Sequence, residues 1–157
     1  MNKCYQLIGV PGAGKSTWIK SQIWALGLPV VGTDMYVEME AHRQGKTYTE
    51  VFEDYMPIAV RLMANHALTC QANRLDFIWD QTSTTVKSRA RKFNTLLPSQ
   101  YEHIAVVFKT PEIDELKHRL ASRPGKVVPW GVVQGMIDNF EMPTLDEGFK
   151  EIRIVGE

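Results

Sequence analysis

The sequence predicts a three-layer α/β fold built on a parallel sheet of about five strands. Three observations point there. Short apolar runs alternate with amphipathic stretches from end to end, the pattern of strands joined by crossover helices. The run Ile104-Ala105-Val106-Val107-Phe108 is apolar throughout, as a central strand covered on both faces requires, whereas a surface strand would alternate. A glycine-rich turn follows the first apolar run and opens a helical pattern, the arrangement of phosphate-binding α/β units.

Taken in order, strands are expected at 4–9, 29–32, 75–80, 104–109 and 151–155. Behind the first, Ile19, Ile23 and Leu26 recur at helical spacing and are expected to face the core. Asp34, after the second strand, can cap a helix that starts at Met35. A longer helix carries the stripe Tyr55, Met56, Ala59, Leu62, Met63, His66, Ala67 and Cys70, with Thr49 as a suitable N-cap. Pro57 lies inside it and lacks the amide that would bond one turn back, which predicts a kink or a fresh start. A short helix is expected at 112–122, stopped by Pro124-Gly125, and another at 130–140, ending before Met142-Pro143. The Gly-, Pro- and Lys-rich stretch from Arg123 to Pro129 reads as a mobile loop, giving a helical lid region over about 119–129. No repeat, low-complexity tract or linker intervenes, so 1–157 reads as a single domain.

At 157 residues, 44% hydrophobic and 23% charged, the chain has an ordinary globular composition and no room for a second catalytic domain. Eighteen Lys and Arg balance eighteen Asp and Glu, so no global basic field recruits nucleic acid or an anionic membrane, and a polyanion must meet a local patch. Cys4 and Cys70 stand far apart, with no C-x-x-C and no Cys/His cluster, which disfavours a disulfide scaffold or a structural zinc site. The N-terminus turns glycine-rich too early for a signal peptide, and no apolar run approaches the roughly 18 residues of a membrane span. A reducing cytoplasmic setting follows as the expectation, with no membrane partner.

Gly9-Val10-Pro11-Gly12-Ala13-Gly14-Lys15-Ser16 fits G-x-x-x-x-G-K-[ST], with Thr17 next in line. Glycines at these positions let successive amides turn inward around a β-phosphate, and the helix start faces the same anion. Lys15 adds a point charge toward the β- and γ-phosphates, and the Ser16 hydroxyl offers an oxygen ligand to Mg²⁺. ATP with Mg²⁺ is therefore the expected donor. Neither a D-x-x-G switch nor an N-K-x-D guanine reader occurs, so a signalling GTPase is disfavoured and a small phosphotransferase remains. Asp34 should project from the carboxyl edge of the sheet, beside the phosphate loop, where a carboxylate can take the proton of an attacking hydroxyl. Asp80, at the end of strand 75–80, is placed to hold Mg²⁺ through water or to orient the acceptor, with Thr82 close behind.

These residues resemble a known family. The series G-V-P-G-A-G-K-S-T-W, then T-D, then D-Q-T followed by S-R-A-R, then R-P-G-K-V-V-P and F-E-M-P-T-L-D-E-G-F is similar, over nearly the whole chain, to the kinase domain of polynucleotide 5′-kinases. The resemblance implies a P-loop kinase in which Lys15 and Ser16 serve ATP and Mg²⁺, Asp34 is the general base, and Asp80 helps organise the acceptor. It also implies that Arg119 and Arg123 close over the donor phosphates from the lid; four apart on one helix, they would share a face and could clamp the transferring group. Two departures stand out. Where the phage branch carries an arginine three positions after the base, this chain has Val37, and the D-x-D-x-T nucleophile of the bifunctional members' phosphatase half does not occur.

For a nucleic-acid 5′-OH end as acceptor, the dense basic run Lys87 to Lys92 centres on Arg89 and Arg91, which cannot share one face; one, Arg89 by choice, could line a groove as the phosphate contact while the other faces solvent or packs against Glu or Asp elsewhere. Trp79, Trp130 and Tyr36 are candidates to stack on a base. Two rivals stay open: a kinase of a small metabolite, nucleoside or hydroxymethylated base, and an ATP-binding regulatory module in which Asp34 would be dispensable.

Overall fold

A computed structural model describes residues 1–156. Strand β1 (Asn2–Ile8) runs into the glycine turn and α1 (Lys15–Ser21), then a 3₁₀ turn (Ile23–Ala25) and the short β2 (Val30–Val31). There follow α2 (Asp34–Gln44), α3 (Tyr48–Ala72), β3 (Phe77–Trp79), α4 (Val86–Thr95) and β4 (Tyr101–Phe108). The chain closes with α5 (Ile113–Ala121), α6 (Trp130–Asp138), a 3₁₀ turn (Leu145–Glu147) and β5 (Phe149–Val155). All five expected strands form, every pairing is parallel, and the order is β2-β3-β1-β4-β5. The middle place belongs to β1; the more apolar β4 lies beside it, between β1 and β5.

Period-two alternation distributes the strand side chains to two helical layers. Cys4, Phe77 and Trp79 join Met63, Ala67 and Cys70 of α3 on one face, while Tyr5, Leu7, Ile78, Ile104 and Val106 meet Trp18 and Ile19 of α1 on the other. A sheet covered on both faces explains the continuous apolar runs. Chain direction then puts the carboxyl ends of β1, β2 and β3 on one edge, which is what gathers the site.

Several local expectations need correction. The helix after the glycine turn stops at Ser21, leaving Ile23 at 88% and Leu26 at 63% exposure, so only Ile19 of that stripe packs inward. Thr47, not Thr49, caps α3: its hydroxyl accepts from Glu50 N while Glu50 accepts from Thr47 N, a reciprocal box. Helix α3 continues through Pro57, whose exposed position leaves the unpaired carbonyl one turn back to water. Asp34 is the first residue of α2 rather than its cap, which is Thr33. The lid region is helical only to Ala121; from Ser122 to Pro129 it is irregular. Among the described residues, no helix is long and apolar enough to cross a membrane.

Candidate active site

The loop Gly9–Gly14 turns out of β1 with Gly12 at φ 84° and Gly14 at φ 98°, left-handed conformations that favour glycine. Gly12 is further constrained from above, since a Cβ there would lie 2.8 Å from Leu116 Cδ1 of α5. Val10 anchors the loop in the cluster of Leu116, Leu120 and Val133, with Ala13 packed against it. At the loop's start, Gly9 N donates to Thr82 O (2.9 Å), so Thr82 acts through its backbone and ties the loop to the segment after β3. Pro11 is half-buried in the turn, and Ser16 and Thr17 stand exposed at the start of α1.

Lys15 Nζ donates to Gly9 O (2.7 Å) and Val10 O (3.2 Å), spanning its own loop. Burial is the main force on its ammonium, pushing it down to about 8; Asp80 and Asp34 oppose this, while Arg123 and Lys126 reinforce it. The five groups therefore share one electrostatic neighbourhood.

Asp80, at the carboxyl end of β3, makes no side-chain hydrogen bond among the described residues. Its carboxyl is raised, first by burial and also by the charge of Asp34, against the pull of Lys15 and Lys126. A carboxylate with no hydrogen-bond donor on it and an exposed serine hydroxyl at the start of α1 are both hard-oxygen donors, the chemistry Mg²⁺ takes. The close approach of β2 to β3 sets the spacing between the two acids: a Cβ on Gly32 would lie only 2.6 Å from Asp80 O.

Asp34 stands at the open mouth, its side chain 59% exposed. Tyr48 Oη donates to its Oδ1 (2.7 Å) and Lys126 Nζ to its Oδ2 (2.9 Å). Burial pulls the carboxyl upward, but these two hydrogen bonds and the charges of Lys126 and Lys15 outweigh it, holding the group below the usual aspartate range and ionised at neutral pH.

The lid arginines divide. Arg119 Nη1 donates to Gly12 O (3.1 Å) and its Nε to Glu115 (2.9 Å), resting on the phosphate loop. Arg123 lies past the end of α5, so the shared-helix-face argument does not hold for the pair. Its charge nonetheless reaches Lys15. Together with Lys117, Lys126 and Trp130 it lines a hollow of about 210 Å³ beneath the lid segment.

Arg89 is placed where it cannot serve an external phosphate. It is fully buried, its Nε and Nη2 donating to Glu147 Oε1 (2.8 Å) and Oε2 (3.1 Å), and its Nη1 to Ser83 O (2.9 Å). Lys92 also turns inward, 5.7 Å from the Trp79 ring, so the basic run exposes only Lys87 and Arg91. Trp79 is core and cannot stack on a base. Trp130 is occupied by Lys117, 4.7 Å from its ring, and Tyr36 packs against two core clusters.

Sequence reasoning did not single out Tyr48 and Lys126. The T-x-x-E box at Thr47–Glu50 was a readable signal for a helix starting at Tyr48; Lys126 lay within the lid segment but carried no pattern of its own.

The sequence profile of a family described as AAA domain matches residues 6–143. Among solved structures, the chain is similar to a candidate kinase from Chloroflexus aurantiacus J-10-fl, with TM-score 0.75 and 18% identity over 98% of this chain and 87% of that one. It is also similar to a chain of the Pnkp1/Rnl/Hen1 RNA repair complex, with TM-score 0.70 and 21% identity over 88% of this chain but only 43% of that one. A sugar kinase from Janibacter sp. HTCC2649 gives TM-score 0.64 and 17% identity over 100% of this chain and 87% of that one. At these identities the likenesses speak to the fold, a P-loop kinase-like domain.

Proposed function

We propose that this chain, which belongs to the AAA domain family AAA_33, moves the γ-phosphoryl group of ATP to an alcohol hydroxyl, and that the acceptor is the 5′-OH end of DNA or RNA. The observation that carries the reading is the pairing, on one sheet edge, of an ionised Asp34 with a phosphate loop whose Lys15 lies within reach of its charge.

The loop amides and Lys15 hold the donor phosphates, with Arg119 at Gly12 and Arg123 from the lid adding positive charge where negative charge builds up. Lys15 must leave the Gly9 and Val10 carbonyls to do so. Asp34 takes the proton of the acceptor hydroxyl as that oxygen bonds to the γ-phosphorus. The bond from phosphorus to the bridging oxygen breaks, and its electron pair departs with ADP. Magnesium, held by Ser16 and Asp80, would supply charge neutralisation at the phosphates. Most of the acceleration comes from positioning and electrostatics.

The exposure of Asp34 supports a strand end as acceptor, because a polymer terminus needs an open approach to the base. The sequence resemblance to polynucleotide 5′-kinases and the fold likeness to a chain of an RNA repair complex support the same choice. A small-metabolite acceptor is the second reading. It is favoured by the burial of Arg89 and Lys92, which removes the phosphate contact expected for a nucleic acid.

The deciding experiment incubates the protein with γ-labelled ATP and Mg²⁺ against a 5′-OH oligonucleotide, a nucleoside and sugar panel, and hydroxymethylated DNA. Label on the oligonucleotide 5′ end is expected. Label confined to a small alcohol establishes the second reading, and no transfer to any acceptor refutes both.

A further inference from the structure

Tyr48 and Lys126 come from different parts of the chain and converge on one carboxylate. Tyr48 opens α3; Lys126 belongs to the irregular segment between α5 and α6. That segment is fastened to the start of α3 by backbone as well as side-chain contacts. Thr49 N and Thr49 Oγ1 both donate to Gly125 O (3.1 Å each), and Val127 N donates back to Thr49 Oγ1 (2.8 Å). Gly125 sits at φ 67° with its missing Cβ 3.2 Å from Thr47 Cβ, a close approach that sets Lys126 over the Tyr48 ring, 4.4 Å from its centre. From there Nζ reaches Asp34 Oδ2 at 2.9 Å.

We propose that Tyr48 and Lys126 are the positioning residues of Asp34: the phenol holds Oδ1 throughout, while the ammonium keeps Oδ2 oriented until the acceptor hydroxyl takes its place. The proposal rests on the reading of Asp34 as general base.

Each half has a physical basis. The Tyr48 hydroxyl is a dependable donor, since burial, followed by its bond to Asp34, pushes its ionisation far above the ordinary phenol range. With one lone pair of Oδ1 committed to Tyr48, Oδ2 becomes the freer oxygen for an incoming hydroxyl once Lys126 shifts, which biases the direction of attack. The ammonium has somewhere to go: Glu38 Oε1 lies 4.0 Å from Nζ, and Glu38, four residues after Asp34, shares its face of α2. A small shift passes Lys126 from one carboxylate to the next without losing its charge from the cleft. The pair contributes little stability, because Asp34 and Glu38 are both more than half exposed. Its location beside Lys15 is what matters. The groups facing Asp34 are Lys126 from the lid segment, Tyr48 from α3, Lys15 from the phosphate loop, Asp80 from the end of β3 and Glu38 from its own helix.

The test follows the Asp34 carboxyl directly, by carbon NMR titration of the full protein labelled at the aspartate carboxyl carbons, without any acceptor. Lys126→Met and Tyr48→Phe should each raise the Asp34 midpoint by at least about half a unit, and Lys126→Arg should restore most of the loss. In turnover, the acid limb of kcat/KM should move up in pH by the same amounts. If neither variant moves the midpoint while both remain folded, the proposal is overturned. If the midpoints move as expected but the wild-type protein transfers phosphate to no acceptor, the positioning of Asp34 stands and the kinase reading fails.

Discussion

Replacing Arg89 by alanine separates a buried ion pair from a substrate contact. The guanidinium is wholly enclosed, and the structure gives it three charge-assisted hydrogen bonds, two to Glu147 and one to Ser83 O. Removing it strands a carboxylate that is only 9% exposed and frees a carbonyl in a strained loop, where Ser83 holds φ 47°. Breaking such a pair from one side costs about 3–5 kcal/mol. For a chain of this size that corresponds to roughly 6 to 20 °C in Tm. The damage should spread to the phosphate loop, because Thr82, next to Ser83, accepts the Gly9 amide. Circular dichroism during urea and thermal unfolding measures the loss, with the cycle of Arg89→Met and Glu147→Leu isolating the pair's coupling; the double variant should recover much of what either single variant loses. A melting temperature within about 1 °C of wild type, together with a raised KM for an oligonucleotide, would show that Arg89 reaches the acceptor and that the buried pairing is wrong.

Gly32→Ala should cost about 1–3 kcal/mol and depress turnover, since the new methyl meets the Asp80 carbonyl and forces β2, with Asp34, away from β3; an unchanged unfolding curve contradicts this. His103 is buried against Phe93 and accepts from Gln6 Nε2 through Nδ1, and burial lowers it to about 4. The unfolded chain then binds the proton more readily, so about 3 kcal/mol of stability, complete above pH 6.5, drains away as pH falls toward 4. His103→Leu should flatten that acid limb in urea titrations. Lys15, at about 8 before phosphate arrives, should take up a proton on binding ATP near pH 8, visible as a buffer-dependent enthalpy in calorimetry. ATP affinity should weaken as pH rises beyond that point, and equal enthalpies in buffers of different ionisation heat would argue against it.

The sheet was legible because its strands, covered on both faces, read as apolar runs that no helix interrupts. The phosphate loop was legible for a different reason: its glycines do a job the backbone imposes, at φ 84° and 98°. That Asp34 and Asp80 sit on the carboxyl edge of the sheet followed from chain direction. What did not follow was anything that depends on two distant segments meeting. Arg89 and Glu147 stood in two recognisable motifs, S-R-A-R and T-L-D-E-G-F, and a distant acid was expected to take one arginine of the run, but with the partner 58 positions away nothing in the sequence said that Arg89 was the one. Lys126 escaped notice because its meaning comes from Thr49 and Tyr48, not from its neighbours in sequence. Ile23 and Leu26 misled in the opposite direction, carrying helical spacing past the point where the helix stops at Ser21.

Donor binding and phosphoryl transfer should separate at Asp34 and not at Lys15. Asp34→Asn should bind ATP with wild-type affinity by calorimetry yet lose transfer to the labelled acceptor by about a hundredfold or more, as expected when a general base is removed. Lys15→Ala should lose both together. Transfer by Asp34→Asn at the wild-type rate would contradict the assignment of the carboxylate, and with it the chemistry built on this edge of the sheet.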